Sequence, residues 1–439
     1  MSVDVAPGTV AYTNARVLDP ARGLDVHGGV LTRGGEIVGA GTDVTADGVP
    51  ADAEVVDCGG ACISPGFVDM QALVGEPGHE HKETIHSAGV AAASAGITAI
   101  ACLPNTDPVI DDEAGLEFVA RRARETKLVK VYAHGAVTRA CAGREMTEIG
   151  LLAAAGAVGF TEGLTPVTDP GLMRRALSYA KTFGAVISQR PEEPAIATGS
   201  MNSGALATRL GLKGRSRHAE LMMIERDLRL AEMTGGRLHI GPVTAAESVD
   251  LIRRAKDRGL AVTASTAPPY LTLTEAAVGE YRTFAKVAPP LRTEADRQAI
   301  AAAVAEGTID AVASDHNPQD QDSKRLPFEA AADGMAGLET LFALSLAPVH
   351  DEGARLVDVL HRLTAGPAAI LGLDAGRLAP GAPADLTVFD PDAAWVIDPD
   401  AFIGKCKNAP FNDMPVRGRV LRTVVDGRPI YTAAESRAA

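Results

Sequence analysis

Between residues 64 and 370, short apolar runs alternate with segments of helical period, and this alternation constrains the fold more than any other feature of the chain. The strand candidates are Gly66–Gln71, Thr98–Leu103, Val129–His134, Ala157–Thr161, Ala185–Gln189, Arg237–Gly241, Ala261–Ser265 and Asp310–Asp315. Each is followed by a helix-period segment, as in Ala219–Thr234 and Glu294–Glu306. Parallel strands need a crossover connection and are covered on both faces, so apolar runs separated by amphipathic helices point to βα units. Eight such units close most economically as a (β/α)8 barrel of the TIM type, with functional groups on the loops after the strands' carboxyl ends. A doubly wound open sheet is the alternative, but no glycine-rich phosphate loop follows the first strand.

The flanks read differently. From Val10 to Ile63, short alternating runs are broken by Gly34-Gly35, Gly39 and Gly41, as strands joined by tight turns would be. Near the other end, Val420–Val425 and Pro429–Thr432 bracket Asp426-Gly427, a hairpin turn of the type that requires positive φ. The two termini are therefore expected to share a small β-sandwich domain, giving segments 1–63 and 371–439 around a barrel at 64–370. The 439-residue length agrees with one large domain and a smaller companion. Two long loops, Arg190 to Arg217 and His316 to Asp333, follow strands five and eight and read as lids or binding segments.

Charge and cysteine usage bound the partners. A net charge of −14, with no basic run interleaved with aromatics, argues against nucleic acid. Met1 to Asp19 shows neither a basic segment nor an apolar core, and no stretch suggests a membrane span, so a cytoplasmic protein is expected. Cys58, Cys62, Cys102, Cys141 and Cys406 lack paired zinc-type spacing and suit a reducing compartment.

The first barrel strand opens Pro65-Gly66-Phe67-Val68-Asp69-Met70-Gln71-Ala72-Leu73-Val74-Gly75-Glu76-Pro77-Gly78. With His81-Lys82-Glu83-Thr84, Cys102-Leu103-Pro104-Asn105-Thr106, Pro289-Pro290-Leu291-Arg292-Thr293, Ser314-Asp315-His316, Gly337-Leu338-Glu339-Thr340 and Asn408-Ala409-Pro410-Phe411, it resembles the dihydroorotases of the amidohydrolase superfamily along nearly the whole chain. That resemblance implies a metal-dependent hydrolase barrel in which a zinc-activated hydroxide opens a cyclic amide.

The same resemblance locates the family's ligand positions, and most carry residues unsuited to zinc. A strand His-x-His pair faces one side of a barrel because alternate side chains share a face; here it reads Gln71 and Leu73. The carboxylate after strand four maps to Glu162, the histidine of strand five to Gln189 and that after strand six to Pro242. Asp315 stands where the family keeps its base and last metal ligand. Among substrate positions, Asn105 is retained, whereas Gly75, Ala288 and Gln319 replace an arginine, an asparagine and a histidine. Exchanging an arginine for glycine removes a planar fork for a carboxylate.

Other histidines offer little replacement. His79 and His81 read as solvent-facing or helix-entry residues, His239 as a satisfied core histidine, and His316 as a helper beside Asp315. Cys102 lies in an apolar run without an evident base and reads as core. The resulting expectation is a member resembling the inactive homologues that lack the metal-binding histidines. It would be a structural subunit of pyrimidine biosynthesis with aspartate transcarbamoylase as partner, self-associating, with no cofactor and Asp315 a vestigial base. The alternative is an active cyclic-amide hydrolase of dihydroorotase, hydantoinase or allantoinase type, using Asp315, Glu162 and His316 or a differently placed metal.

Overall fold

The computed structural model describes residues 8–44 and 48–434, so the outermost residues of both terminal segments, including the first seven of the leader reading, lie outside it. Five strands come first: β1 (Thr9–Asp19), β2 (Leu24–Arg33), β3 (Glu36–Gly41), β4 (Ala53–Asp57) and β5 (Cys62–Pro65). The parallel strands follow as β6 (Phe67–Ala72), β7 (Ile97–Cys102), β8 (Lys130–Ala133), β9 (Gly135–Ala136), β10 (Phe160–Thr161) and β11 (Val186–Gln189). After a short parallel pair, β12 (Met201–Asn202) and β13 (Gly214–Arg215), they resume as β14 (Arg237–Ile240), β15 (Val262–Thr266) and β16 (Ala311–Val312). The chain ends on β17 (Leu386–Val396), β18 (Pro415–Val425) and β19 (Arg428–Thr432).

Both termini contribute to one mixed sheet, ordered β19-β18-β17-β5-β1-β2-β3, with β4 also on β1. The Asp426-Gly427 turn has φ of 47° and 75°, the left-handed pair that its sequence requires. The parallel strands pair as β6-β7-β8 and as β9-β10-β11-β14-β15-β16. Only His134 separates β8 from β9, and a parallel bridge between Ala72 and His316 joins the two ends of the series. All six residues of β7 are buried, as expected of strands covered by helices on one side and neighbouring side chains on the other.

Helices begin and end where local chemistry dictates. Thr84 and Ser87 form a capping box ahead of helix Ile85–Ser94, and Thr293 with Asp296 does the same for helix Glu294–Glu306, which stops at Gly307 with φ 97°. The mixed sheet is fastened to the parallel strands by packed rings: Phe67 of β6 stacks 5.0 Å from Phe342, which meets Phe389 of β17 edge to face at 4.8 Å. Gly96 must be glycine here, because its φ is 79° and a Cβ would lie 2.7 Å from the Phe67 ring. No helix among the described residues is long and apolar enough to cross a membrane.

Two differences from the sequence reading have physical causes. The loop at Arg190 to Arg217 carries its own structure, β12, helix Ala205–Leu210 and β13. The last parallel strand is shorter than Asp310–Asp315, because at Ser314 the ladder gives way to a side chain: buried Asp69 accepts from the Ser314 N–H at 3.0 Å and from its hydroxyl. Replacing Ser314 with alanine should lower stability by about 1–2 kcal/mol. The measurement is the urea midpoint at constant slope, and an unchanged midpoint would mean that this contact does not support the fold.

Candidate functional site

The site is built at the carboxyl ends of the parallel strands, around Asp315. Asp69 on β6 binds Ser314, and the Leu73 N–H donates to the His316 carbonyl at 2.8 Å, so Asp315 is held from both sides on the first and last strands. It adopts φ 48°, a left-handed conformation that costs a non-glycine residue about 1–2 kcal/mol. The carboxyl makes no hydrogen bond among the described residues. Burial raises it to about 6; Arg190 and His316 oppose the rise and the nearby Asp69 carboxylate reinforces it. Asp315 is therefore a group able to exchange a proton near neutral pH.

His316, its neighbour, is turned into the wall. The Gly337 N–H donates to Nδ1 at 3.1 Å, which places the neutral ring's proton on Nε2, 3.5 Å from a Glu83 carboxylate oxygen. Gln319 is also engaged, accepting from Lys82 Nζ at 3.0 Å and donating to Asn317 at 2.8 Å. The loop that carries it is anchored by two buried ammonium groups: Lys324 donates to the carbonyls of Thr283, Lys286 and Ala332, and Lys286 to those of Glu329 and Ala331.

The remaining mapped residues are tied up one by one. Gln71 and Leu73 flank the end of β6 and are buried. Glu162 accepts from the Thr138 N–H at 2.7 Å and from its hydroxyl at 2.9 Å, with burial raising its pKa. The Gln189 amide accepts from the Val167 N–H at 3.0 Å and donates to the Val167 carbonyl at 3.1 Å and to Asp227 at 3.0 Å. Pro242 has no donor atom. Asn105 donates to the Glu162 carbonyl at 3.1 Å and accepts from the Leu164 N–H at 3.1 Å, so its amide braces two loops. His239 is bonded through both nitrogens at 2.9 Å, to Thr263 and Ser265, and burial drives its pKa down to about 3; it is a satisfied core histidine. His79 and His81 lie edge to face, the first half-buried and the second exposed, and Cys102 is core.

Sequence reasoning missed three residues here. Asp69 lies inside the first motif but was read only as part of a match. Arg292, in the Pro-Pro-Leu-Arg run, is buried and bonded to Thr244, Asn202 and the Arg215 carbonyl, pinning β12 and β13 beside the site. Arg190, directly after Gln189, is 5% exposed; one guanidinium nitrogen donates to the Ala288 carbonyl and Nη1 has no partner. A charged residue directly after the apolar run Val186–Gln189 was the available signal.

Two family models match the chain, "Dihydro-orotase-like" over residues 60–248 and "Amidohydrolase family" over residues 216–431. Proteins called Dihydroorotase from Syntrophotalea carbinolica and Anaplasma phagocytophilum are 42% and 41% identical, each over 97% of this chain and over 100% and 96% of their own lengths. The chain belongs to the dihydroorotase family. Among solved structures, the L-hydantoinase of Arthrobacter aurescens matches with a TM-score of 0.85 at 24% identity, over 97% of this chain and 96% of its own. A dihydropyrimidinase from Brevibacillus agri gives 0.82 at 22%, over 96% and 94%, so both share the amidohydrolase-type α/β fold.

These relatives correct two expectations. Full-length dihydroorotases at 41 to 43% identity favour an active cyclic-amide hydrolase over an inactive structural subunit, and the reading of a non-enzyme falls with it. Family membership likewise overturns the expectation of no cofactor, since these families are metal-dependent and use zinc. The residues nearest Asp315 do not fit that metal as they stand. Among the described residues no group of three or more His, Cys, Asp or Glu side chains is placed to hold an ion, and the polar atoms of Glu162 and Gln189 are spent on the protein.

Asp315 carries a pH dependence. Its folded pKa of about 6 lies above the ordinary carboxyl value of 3.8, so its contribution to stability is complete below about pH 4 and lost as pH rises through 6. Asp315→Asn should therefore melt a few degrees above the parent at pH 7.5, with the gap closing by pH 4. A gap independent of pH would show that the carboxyl is not desolvated.

Proposed function

We propose that this chain acts on the cyclic amide of a dihydroorotate-type ring, opening it by hydrolysis or closing it in the direction of pyrimidine biosynthesis. The supporting observation is the end-to-end similarity to curated dihydroorotases at 41 to 43% identity. In this reading the parallel strands, bridged from Ala72 to His316, are a closed (β/α)8 barrel, and the mixed sheet of both termini is its companion β-sandwich. Asp315 handles the proton: with a pKa of about 6 it accepts one from a water or an amide and returns it at neutral pH. Glu162 and Asn105 shape the neighbouring loops instead of touching substrate, because their polar atoms are bound within the protein.

The five free cysteines support a cytoplasmic setting. Self-association and a transcarbamoylase partner, both implied by resemblance, are read out by light scattering and copurification.

The test is turnover of dihydroorotate, hydantoin and allantoin by pure protein, with and without added zinc, with bound metal measured in the same sample. Ring opening of dihydroorotate above the uncatalysed rate is expected, and Asp315→Asn should reduce kcat by about 100-fold or more. Absence of turnover on all three rings under both conditions would sink the reading.

A further inference from the structure

We propose that Arg190 is the anion-recognising residue of this site, holding a carboxylate carried by the cyclic amide. The inference rests on the cyclic-amide reading and adds the group that selects among such rings. Arg190 is 5% exposed, and a guanidinium removed from water is costly unless its donors are matched. One side of its fork is spent on the Ala288 carbonyl, while Nη1 is buried with no acceptor at all. Protein interiors rarely leave such a donor unpaired, and a charged one buried to this degree calls for an acceptor.

The placement fits a ligand. Arg190 follows the last residue of β11, at the carboxyl end of a parallel strand, and its charge acts on Asp315 and on Tyr270, whose hydroxyl donates to the Pro289 carbonyl at 2.7 Å. Arg190 forms no hydrogen bond with Asp315, so that carboxylate leaves the fork open. The Arg190 side chain reaches the backbone of Ala288, just before the Pro289-Pro290-Leu291-Arg292 run. A planar guanidinium binds a carboxylate through parallel N–H donors, and in a desolvated setting such a contact discriminates strongly against an uncharged analogue.

The experiment is equilibrium calorimetry on the full-length protein with dihydroorotate and with dihydrouracil, the same ring without the carboxylate. The parent should bind dihydroorotate at least tenfold more tightly. In Arg190→Gln that preference should vanish while dihydrouracil binding stays within twofold, and circular dichroism should show the fold retained. Arg190→Lys, which keeps the charge but not the fork, should lose at least threefold of the preference and serves if the glutamine variant does not fold. A parent without preference, or a variant that keeps it whole, overturns the assignment. Binding is read without turnover, so failure of ring opening and failure of carboxylate recognition appear as separate results.

Discussion

The contact between Asp69 and Ser314 governs this molecule. It spans 245 residues of sequence, closing the largest loop in the parallel series, and it does so with a buried carboxylate that needs donors. Those donors come from the backbone and side chain of the residue just before Asp315. Because a buried acceptor without partners is expensive, the last strand has little choice but to turn where it does. The left-handed backbone at Asp315, the bridge from Ala72 to His316 and the orientation of His316 toward Glu83 all follow from that turn. Fold closure and site geometry are therefore one event.

Much of this architecture was legible in the sequence, since periodicity reports burial. Most of the strands observed fall within a residue of the apolar runs, although β10 keeps only the last two residues of Ala157–Thr161, and Glu294–Glu306 begins and ends where Thr293 and Gly307 dictate. The small sheet was legible through its turns, Asp426-Gly427 above all. The last strand was less so: Ser314 and Asp315 look like strand residues until the acceptor on Asp69 is in place, and periodicity says nothing of a side chain 245 positions away.

The site was legible in its positions and less so in its roles. Asp315 lies beyond the end of β16, held there by the contact of Ser314 with Asp69. Asn105 and Glu162 could be aligned by their flanks, but alignment does not reveal that their polar atoms are consumed by Leu164 and Thr138. Arg190 escaped notice for the opposite reason: it matches no motif, and its importance comes from burial, which only folding supplies. The inference from missing histidines to a silent protein was a step from composition to activity, and full-length relatives named as dihydroorotases weigh against it, although the ligand arrangement around Asp315 remains unlike a zinc centre.

Gln189 shows what such a network does to the freedom of a sequence. Each polar atom of its amide is matched, to Val167 on one side and to the desolvated Asp227, raised to about 6, on the other. An apolar residue at position 189 would leave Asp227 to Arg226 alone, which donates to its other oxygen at 2.8 Å, and would leave the Val167 N–H without its acceptor. The two residues, 38 apart in sequence, share a buried contact, so the cost of changing one depends on what stands at the other.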